Sequence, residues 1–233
     1  MDIARTSPVA RARRASSPVR FGFYHLFWIF VICSVVGLVA ETVASYPVDG
    51  VWKDRAGLVW GPFSPIYGVG GVLMTLALGR FSNAPAPVLF AAAALVGGAF
   101  EWAAGWFFEN AFGIVAWNYI DEPFNIGGHT CLGISLVWGA AGLAWAKLAL
   151  PPIVRALDRV PARLRALPTA AACAFLAIDV ALTLGAFECW FQRQAGEQPE
   201  TPLERAFEAH FGDAFMEGRF QTMSLYADLA RRR

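Results

Sequence analysis

The sequence predicts an all-α membrane protein, a bundle of about five transmembrane helices with a parallel two-helix internal repeat. Three observations carry this prediction. Hydrophobic residues make up 57% of the 233 residues and charged residues only 16%, against roughly 25% charged in an ordinary soluble domain. Several windows of about 20 residues, the length that a spanning helix needs, hold almost no charge. Two of these windows carry a glutamate in matching surroundings.

The matching surroundings indicate a duplicated helix pair. Glu41 and Glu101 each follow a glycine by four positions inside a long apolar segment, and each is followed by a Pro-Phe pair. Glu41 precedes Pro62 by 21 positions, and Glu101 precedes Pro123 by 22. Because two spans separate the copies, both keep one orientation, as in the parallel repeats of some transporters. Chance similarity between apolar segments is the alternative.

Charge and hydropathy divide the chain into three regions. Residues 1–21 form an arginine-rich arm, predicted to be disordered and cytoplasmic; residues 22–190 form the transmembrane domain; and residues 191–233 form an amphipathic tail. The spans are expected to be helical because open strands leave backbone groups unsatisfied in lipid. They are predicted at about 22–45, 59–79, 87–109, 130–150 and 168–190.

The distribution of lysine and arginine predicts the orientation. The N-terminal arm and the segment 147–167 are basic, whereas residues 109–130 contain no Lys or Arg. The positive-inside rule then places the N-terminus in the cytoplasm and the loops 46–58 and 110–129 outside. Lys53 and Arg55 are a minor exception, and Arg231–Arg233 fit poorly with a tail that five spans leave outside.

The first span follows the basic arm directly. Its apolar run is longer than the 7–15 residues typical of a signal-peptide core, so we expect an uncleaved span. Glu41 lies near its outer end. A carboxylate inside lipid is costly and is therefore a candidate functional group.

The second span begins in a segment, 57–71, that is rich in proline and glycine. Irregular backbone at membrane depth is tolerated only where it faces protein or water, so this segment is a candidate cavity lining. A simple broken helix start is the alternative. The candidate residues are Pro62, Phe63, Ser64 and Tyr67.

The third and fifth spans carry Glu101 and Asp179. Spans one, three and five run in one direction, so their three carboxyls can be compared in depth. One interpretation is a cation- or proton-coupled site in which at least one buried carboxyl holds a proton near neutral pH. The other is that each carboxyl bonds a neighbouring helix and locks the bundle, which is the favoured interpretation for Asp179.

The loop before the fourth span combines interfacial aromatic rings with hydrogen-bonding side chains. A lone histidine near a helix start is more typical of a cap than of a metal ligand. With three histidines in the chain, we predict no metal site and no cofactor. The candidate binding residues here are Trp117, Asp121, Pro123, Phe124, Asn125 and His129.

The amphipathic basic segment 151–167 suits an anionic inner membrane surface. It is also the plausible docking place for a separate ATPase subunit. In the tail, residues 203–229 are expected to pack on the bundle, with a partner-binding helix as the alternative.

Missing motifs narrow the function. There is no phosphate-binding G-x-x-x-x-G-K-[ST], so this chain contains no ATPase, and there is no G-x-S-x-G, H-E-x-x-H or dinucleotide fingerprint. No basic-aromatic surface indicates nucleic acid. We therefore predict a protein that is not an enzyme.

Several motifs, taken in order, resemble those of a known family. The segment 57–68, GLVWGPFSPIYG, and the segment 117–132, WNYIDEPFNIGGHTCL, are similar to segments of the CmpB-like putative ABC-transporter permeases, a polytopic bacterial inner-membrane family. Glu101 and Asp179 stand at acidic positions of that family. Asn118 and His129 depart from it, since the family usually has Asp and Arg there. The resemblance covers roughly residues 22–190 and implies a transport role without a substrate.

Three functions remain open at this stage. The first is a transporter permease component with a polar, outward-facing site built from the intramembrane carboxylates and the Pro-Phe segments. The second is a membrane scaffold or regulator that uses the tail, and the third is an interfacial enzyme acting on lipid through Asp121, Glu122 and His129. The predicted partner is the lipid bilayer, and a homo-oligomer is compatible with each function.

Overall fold

The chain folds into eight α-helices and a short antiparallel strand pair within residues 21–79, 81, 84–221 and 224–225, the part that the computed structural model describes. The predicted all-α class is confirmed. Residues 1–20 of the predicted arm, Arg231–Arg233 and the end of the predicted tail helix lie outside the described residues. The helices are α1 (Phe23–Asp49), α2 (Pro65–Gly79), α3 (Ala86–Phe112), α4 (Leu132–Ala144), α5 (Leu150–Arg159), α6 (Ala166–Gln194), α7 (Pro202–His210) and α8 (Asp213–Arg219). The strands are β1 (Ile114–Val115) and β2 (Ser224–Leu225).

Among the described residues, four helical stretches are long and apolar enough to cross a membrane: Phe23–Pro47, Ala86–Phe112, Leu132–Arg159 and Ala162–Gln194. The remaining apolar helix, α2, has 15 residues. At 1.5 Å per residue this is about 22 Å, less than the ~30 Å hydrocarbon core of a bilayer. The bundle therefore contains four long apolar helices and a shorter one.

The shortness of α2 has a local cause. The predicted span began near residue 59, but the helix begins at Pro65 because Gly61 has φ 64° and prolines at 62 and 65 cannot donate to a helical ladder. The segment before α2 satisfies part of its backbone elsewhere. Gly57 N donates to Phe63 O at 2.9 Å, and Ser64 N donates across to Ser34 O of α1 at 3.1 Å.

The fourth span continues into the basic segment without a break. A π-helical turn, Trp145–Ala149, joins α4 to α5. This turn precedes Pro151 and Pro152, which have no N–H to donate to the carbonyls one turn earlier. Leu150 N donates to Trp145 O, the hydrogen bond of a π-helix. A π-turn accommodates such a change of ladder within one helix.

One end of the bundle joins the start of α1 to α5 and to the start of α6. His25 Nε2 lies 2.9 Å from Asp158 Oδ1, and Trp28 Nε1 donates to Thr169 Oγ1 at 3.0 Å. Arg155 and Arg159 are exposed here. We call this the basic end.

The opposite end, which we call the loop end, joins the loops after α1 and α3 to the tail. Arg219 Nε donates to Leu58 O at 2.9 Å, and the same guanidinium bonds Asp54 Oδ2 at 2.8 Å and Gly61 O. β1 pairs with β2. The described tail thus packs on the bundle, burying these side chains together: Val59, Ile114, Ala186, Phe187, Trp190, Phe211, Met216 and Phe220.

Candidate functional site

Two aromatic residues occupy equivalent positions in the two helix pairs. A Cβ added at Gly37 of α1 would meet the Tyr67 Cγ at 2.3 Å, and one at Gly97 of α3 would meet the Trp138 Cβ at 2.2 Å. In each pair, the glycine therefore lets an aromatic side chain of the next helix lie against the backbone. Each aromatic residue also donates a hydrogen bond to the glutamate one turn after that glycine.

The equivalence extends toward the basic end. Gly68 faces Phe30 and Gly139 faces Phe90, while Gly71 faces Cys33 and Gly142 faces Ala93. All these contacts follow one alignment, in which α1 matches α3 after 60 positions and α2 matches α4 after 71. Close approach at small residues is the usual basis of helix packing in membranes. The contacts thus support the predicted parallel repeat of two helices.

The Pro-Phe part of the predicted repeat is not equivalent in this alignment. Pro62 precedes its aromatic partner Tyr67 by 5 positions, whereas Pro123 precedes Trp138 by 15. The loop of the second copy is longer, so its Pro-Phe pair lies farther from the helix. The match of these pairs in the sequence is therefore a coincidence of spacing.

Glu41 lies between a cation and a hydroxyl. Its Oε1 accepts from Arg55 Nη1 at 2.7 Å, and its Oε2 accepts from the Tyr67 hydroxyl at 2.5 Å. The side chain of Arg55 is 17% exposed and that of Glu41 is 34% exposed. Glu41 is thus a half-buried carboxylate that already has a positive partner from the loop after α1.

Glu101 is more deeply buried and has neutral donors. It is 7% exposed. Trp138 Nε1 donates to its Oε2 at 2.7 Å, and the Tyr119 hydroxyl lies 3.1 Å from its Oε1. Tyr119 comes from the loop after α3, as Arg55 comes from the loop after α1. Each carboxyl therefore accepts from an aromatic residue of the following helix and contacts a residue of the loop after its own helix. The loop residue is a cation for Glu41 and a phenol for Glu101.

The two carboxyls act on one another. The charge of Glu41 acts on Glu101 and on Tyr119, and the charge of Glu101 acts on Tyr67. Trp138 lies between the helix pairs, because a Cβ at Gly70 of α2 would meet its ring at 2.8 Å. We call Glu41, Arg55, Tyr67, Glu101, Tyr119 and Trp138 the carboxyl pair cluster.

Asp179 is separate from this cluster and anchors the segment before α2. It is fully buried, and its Oδ1 accepts from Trp60 N at 3.0 Å. Thr183, one turn later, accepts from Val59 N at 2.9 Å. Asp179 Oδ2 has no hydrogen-bond partner among the described residues. These contacts fit the structural interpretation of Asp179 given above.

Of the other predicted residues of the segment before α2, Phe63 and Ser64 pack against the first and fifth spans, whereas Pro62 is exposed. Phe63 lies 6.1 Å from the ring of Phe175 on α6, and Ser64 is buried. Two cavities adjoin this segment. One, of about 220 Å³, lies among α2, α3 and α6, and one, of about 410 Å³, lies between α1 and α6. Their walls are mainly apolar, and neither of these two includes Glu41 or Glu101.

The loop before α4 is held mostly by its own side chains. Trp117 Nε1 donates to His129 O at 2.9 Å, and Asn125 Nδ2 donates to Ile120 O at 2.9 Å. His129 Nε2 lies 2.7 Å from Glu109 Oε2, so its side chain pairs with the end of α3. Asp121, Pro123 and Phe124 are exposed on the loop surface. Of the candidates in this loop, none bonds directly to either intramembrane glutamate in the described contacts.

Sequence reasoning missed Arg55, Tyr119 and Trp138 as members of the cluster. One signal could have found Trp138: Tyr67 and Trp138 each begin an aromatic-Gly-x-x-Gly motif in the helix that follows a glutamate.

Burial raises the pKa of the Tyr119 phenol, and the nearby Glu101 carboxyl raises it further, so this hydroxyl keeps its proton.

Within the described residues, no group of three His, Cys, Asp or Glu side chains is placed to hold a metal ion. The carboxyl pair cluster offers two carboxyls, two phenols, an indole N–H and a guanidinium. This set can bind or exchange a proton or a small cation.

A family model described as putative ABC-transporter type IV matches residues 28–184 of the chain. The match includes both helix pairs and the whole carboxyl pair cluster. Neither a search of curated proteins nor a search of solved structures gave a significant match. The long apolar helices and the family match together identify an integral membrane protein of transporter-like character.

Proposed function

Since the chain belongs to the putative ABC-transporter type IV family, we propose that it is a permease component whose carboxyl pair cluster handles a proton or small cation. The observation that carries this proposal is the repeated carboxyl site with unequal partners. Glu41 has Arg55 at 2.7 Å, whereas the buried Glu101 has Trp138 and Tyr119. A charged carboxylate in lipid without a cation is costly, so Glu101 binds a proton or another cation at rest.

The N-terminus lies in the cytoplasm and the loop end faces outward in this proposal. The exposed Arg155 and Arg159 at the basic end support it through the positive-inside rule. The site then opens outward, and a separate ATPase subunit docks at residues 151–167. The proposal includes the predicted division of the chain into an N-terminal arm (1–21), a five-span transmembrane domain (22–190) and a tail (191–233).

The orientation predicts opposite labelling of two exposed positions. Glu122→Cys at the loop end is expected to react with an impermeant thiol reagent applied to intact cells, and Arg159→Cys only after the membrane is opened. The parent chain is the control, because its four cysteines are buried or partly buried in the bundle. Labelling of Arg159→Cys from outside, with Glu122→Cys protected, would reverse the orientation.

The two alternative functions have less support. The tail expected of a scaffold is engaged with its own bundle through Arg219 and the buried aromatic cluster. The lipid enzyme needs His129 with Asp121 or Glu122, but His129 pairs with Glu109 at 2.7 Å while Asp121 and Glu122 are exposed.

Proton flux into vesicles tests the transport proposal. Purified chain in proteoliposomes with an internal pH-sensitive dye is expected to admit protons when a potassium diffusion potential is imposed. Glu101→Gln keeps the shape of the side chain but removes titration, and is expected to lower this flux at least tenfold. Glu41→Gln should also lower it, because the charge of Glu41 acts on Glu101.

Glu188→Gln is the matched control for these variants. Glu188 is an exposed glutamate near the loop end of α6, so its neutralisation should leave the flux at the parent level. Equal flux in the parent, in Glu101→Gln and in protein-free vesicles would overturn the proposal for protons. The same assay with sodium-sensitive dye then decides whether the cation is sodium.

A further inference from the structure

Each oxygen of the Glu101 carboxyl faces a different kind of group. Oε2 lies 2.7 Å from Trp138 Nε1, and an indole N–H can only donate. Oε1 lies 3.1 Å from the Tyr119 hydroxyl, which can donate or accept. A proton on Oε2 would point at a donor and break the shorter bond. A neutral Glu101 therefore carries its proton on Oε1, where the phenol oxygen can accept it.

The geometry points to Tyr119 as the hydroxyl through which Glu101 exchanges its proton with the loop end of the protein. This inference rests on the proposed role of Glu101 as the exchanging carboxyl. Tyr119 is half-buried, between a nearly buried carboxyl and a loop whose neighbouring residues Asn118 and Ile120 are exposed. Tyr119 therefore lies between Glu101 and the exposed surface of the loop.

The transfer conserves every proton. As the O–H bond of Glu101 breaks, its proton passes to the Tyr119 oxygen, and the original phenolic proton passes to a water molecule at the loop surface. The step leaves Glu101 as a carboxylate that accepts from the Tyr119 hydroxyl, and the reverse transfer from water restores its proton. The phenol stays neutral throughout, in agreement with a Tyr119 pKa that is raised by burial and by Glu101.

The contact distances and the loop fit this role. The Trp138 bond is short for N–H···O, whereas 3.1 Å is long for O–H···O, so Tyr119 is the weaker and more easily rearranged partner. Its backbone is fixed, since Tyr119 N donates to Gly128 O at 2.8 Å. The ionisable groups acting on the path are Glu101, Glu41 and, through Tyr119, Cys131.

The equivalent tyrosine in the first helix pair lacks this property. Tyr67 donates to Glu41 Oε2, while Glu41 Oε1 accepts from the Arg55 guanidinium at 2.7 Å. Because Tyr67 belongs to the cluster, the control is a tyrosine outside it: Tyr24→Phe removes a phenolic hydroxyl that donates to Leu157 O at 3.4 Å at the basic end.

Infrared spectroscopy of the reconstituted full chain tests the path without any transport measurement. The parent is expected to show a protonated carboxyl band that Glu101→Gln removes and the exposed control Glu188→Gln keeps. After a change from H₂O to D₂O, Tyr119→Phe should slow the deuterium shift of this band at least tenfold, while Tyr24→Phe leaves the rate unchanged.

Three results would count against the inference. A band that Glu101→Gln does not alter would show that Glu101 holds no proton, and parent-rate exchange in Tyr119→Phe would exclude the hydroxyl path. Equal slowing by Tyr24→Phe would indicate a general change in the packing of the bundle rather than a path through Tyr119. If the path is found but Glu101→Gln leaves vesicle flux unchanged, the transport proposal fails and the exchange path stands.

Discussion

Replacing Gly97 by alanine is expected to lower the free energy of unfolding by about 3 kcal/mol, the upper part of the usual range for overpacking. The new Cβ would lie 2.2 Å from the Trp138 Cβ. That atom is next to the backbone and cannot swing away, and the bond from Trp138 Nε1 to Glu101 fixes the far end of the side chain. Helices α3 and α4 must therefore separate or the indole must leave its carboxyl.

Unfolding in mixed detergent micelles, followed by tryptophan fluorescence, measures this effect. Gly133→Ala in α4 is the control, because its Cβ would meet only the Cys131 Sγ at an ordinary 3.7 Å. Gly37→Ala should resemble Gly97→Ala, since its Cβ would meet Tyr67 at 2.3 Å. Parent-like stability of Gly97→Ala would contradict the close contact between α3 and α4 that supports the repeat.

The sequence predicts the fold class well because hydropathy alone decides it. Windows with almost no charge are expected to be helices in lipid, and the first, third, fourth and fifth predicted spans overlap long apolar helices. The second is less well predicted. Proline and glycine indicate irregular backbone near Pro62, but they do not specify that the helix begins only at Pro65.

The glutamates of the site were predictable, whereas most of their partners were not. A carboxyl inside an apolar window is visible in one sequence. That Arg55 folds back from a loop to Glu41, at 2.7 Å, depends on the path of that loop, which composition does not specify. From the distribution of charge alone, Arg55 is a minor exception to the positive-inside rule, and its role as the counter-ion of Glu41 is not visible.

The loop residues are a different case. Asn125 and His129 have the chemistry of a binding site, but Asn125 closes its own loop and His129 pairs with Glu109. Polar residues in a loop first satisfy the backbone groups that the loop leaves open. A functional role can be argued only for those whose contacts reach beyond it, as Tyr119 does toward Glu101.

Replacing Arg55 by methionine is expected to destabilise the protein by about 3 kcal/mol, because loss of one partner of a buried pair leaves the other charge uncompensated. The pair is half-buried, with side chains 17% and 34% exposed for Arg55 and Glu41. The remaining carboxylate of Glu41 would keep the Tyr67 hydroxyl as a donor but lose its cation. Its charge would then act more strongly on Glu101, with which it already interacts.

A double-mutant cycle separates this charge effect from lost packing. Adding Glu41→Gln to Arg55→Met should recover most of the loss, since both charges are then gone and the amide can still accept from Tyr67. We expect a coupling energy of about 2 kcal/mol for this pair, against under about 1 kcal/mol for the more exposed pair Arg193–Asp213, whose acid is 48% exposed. Equal coupling in both pairs would mean that Glu41 is solvated like a surface carboxylate. The difference between the partners of the two glutamates would then no longer support the proposed function, because Glu41 would not need the Arg55 cation that distinguishes it from Glu101.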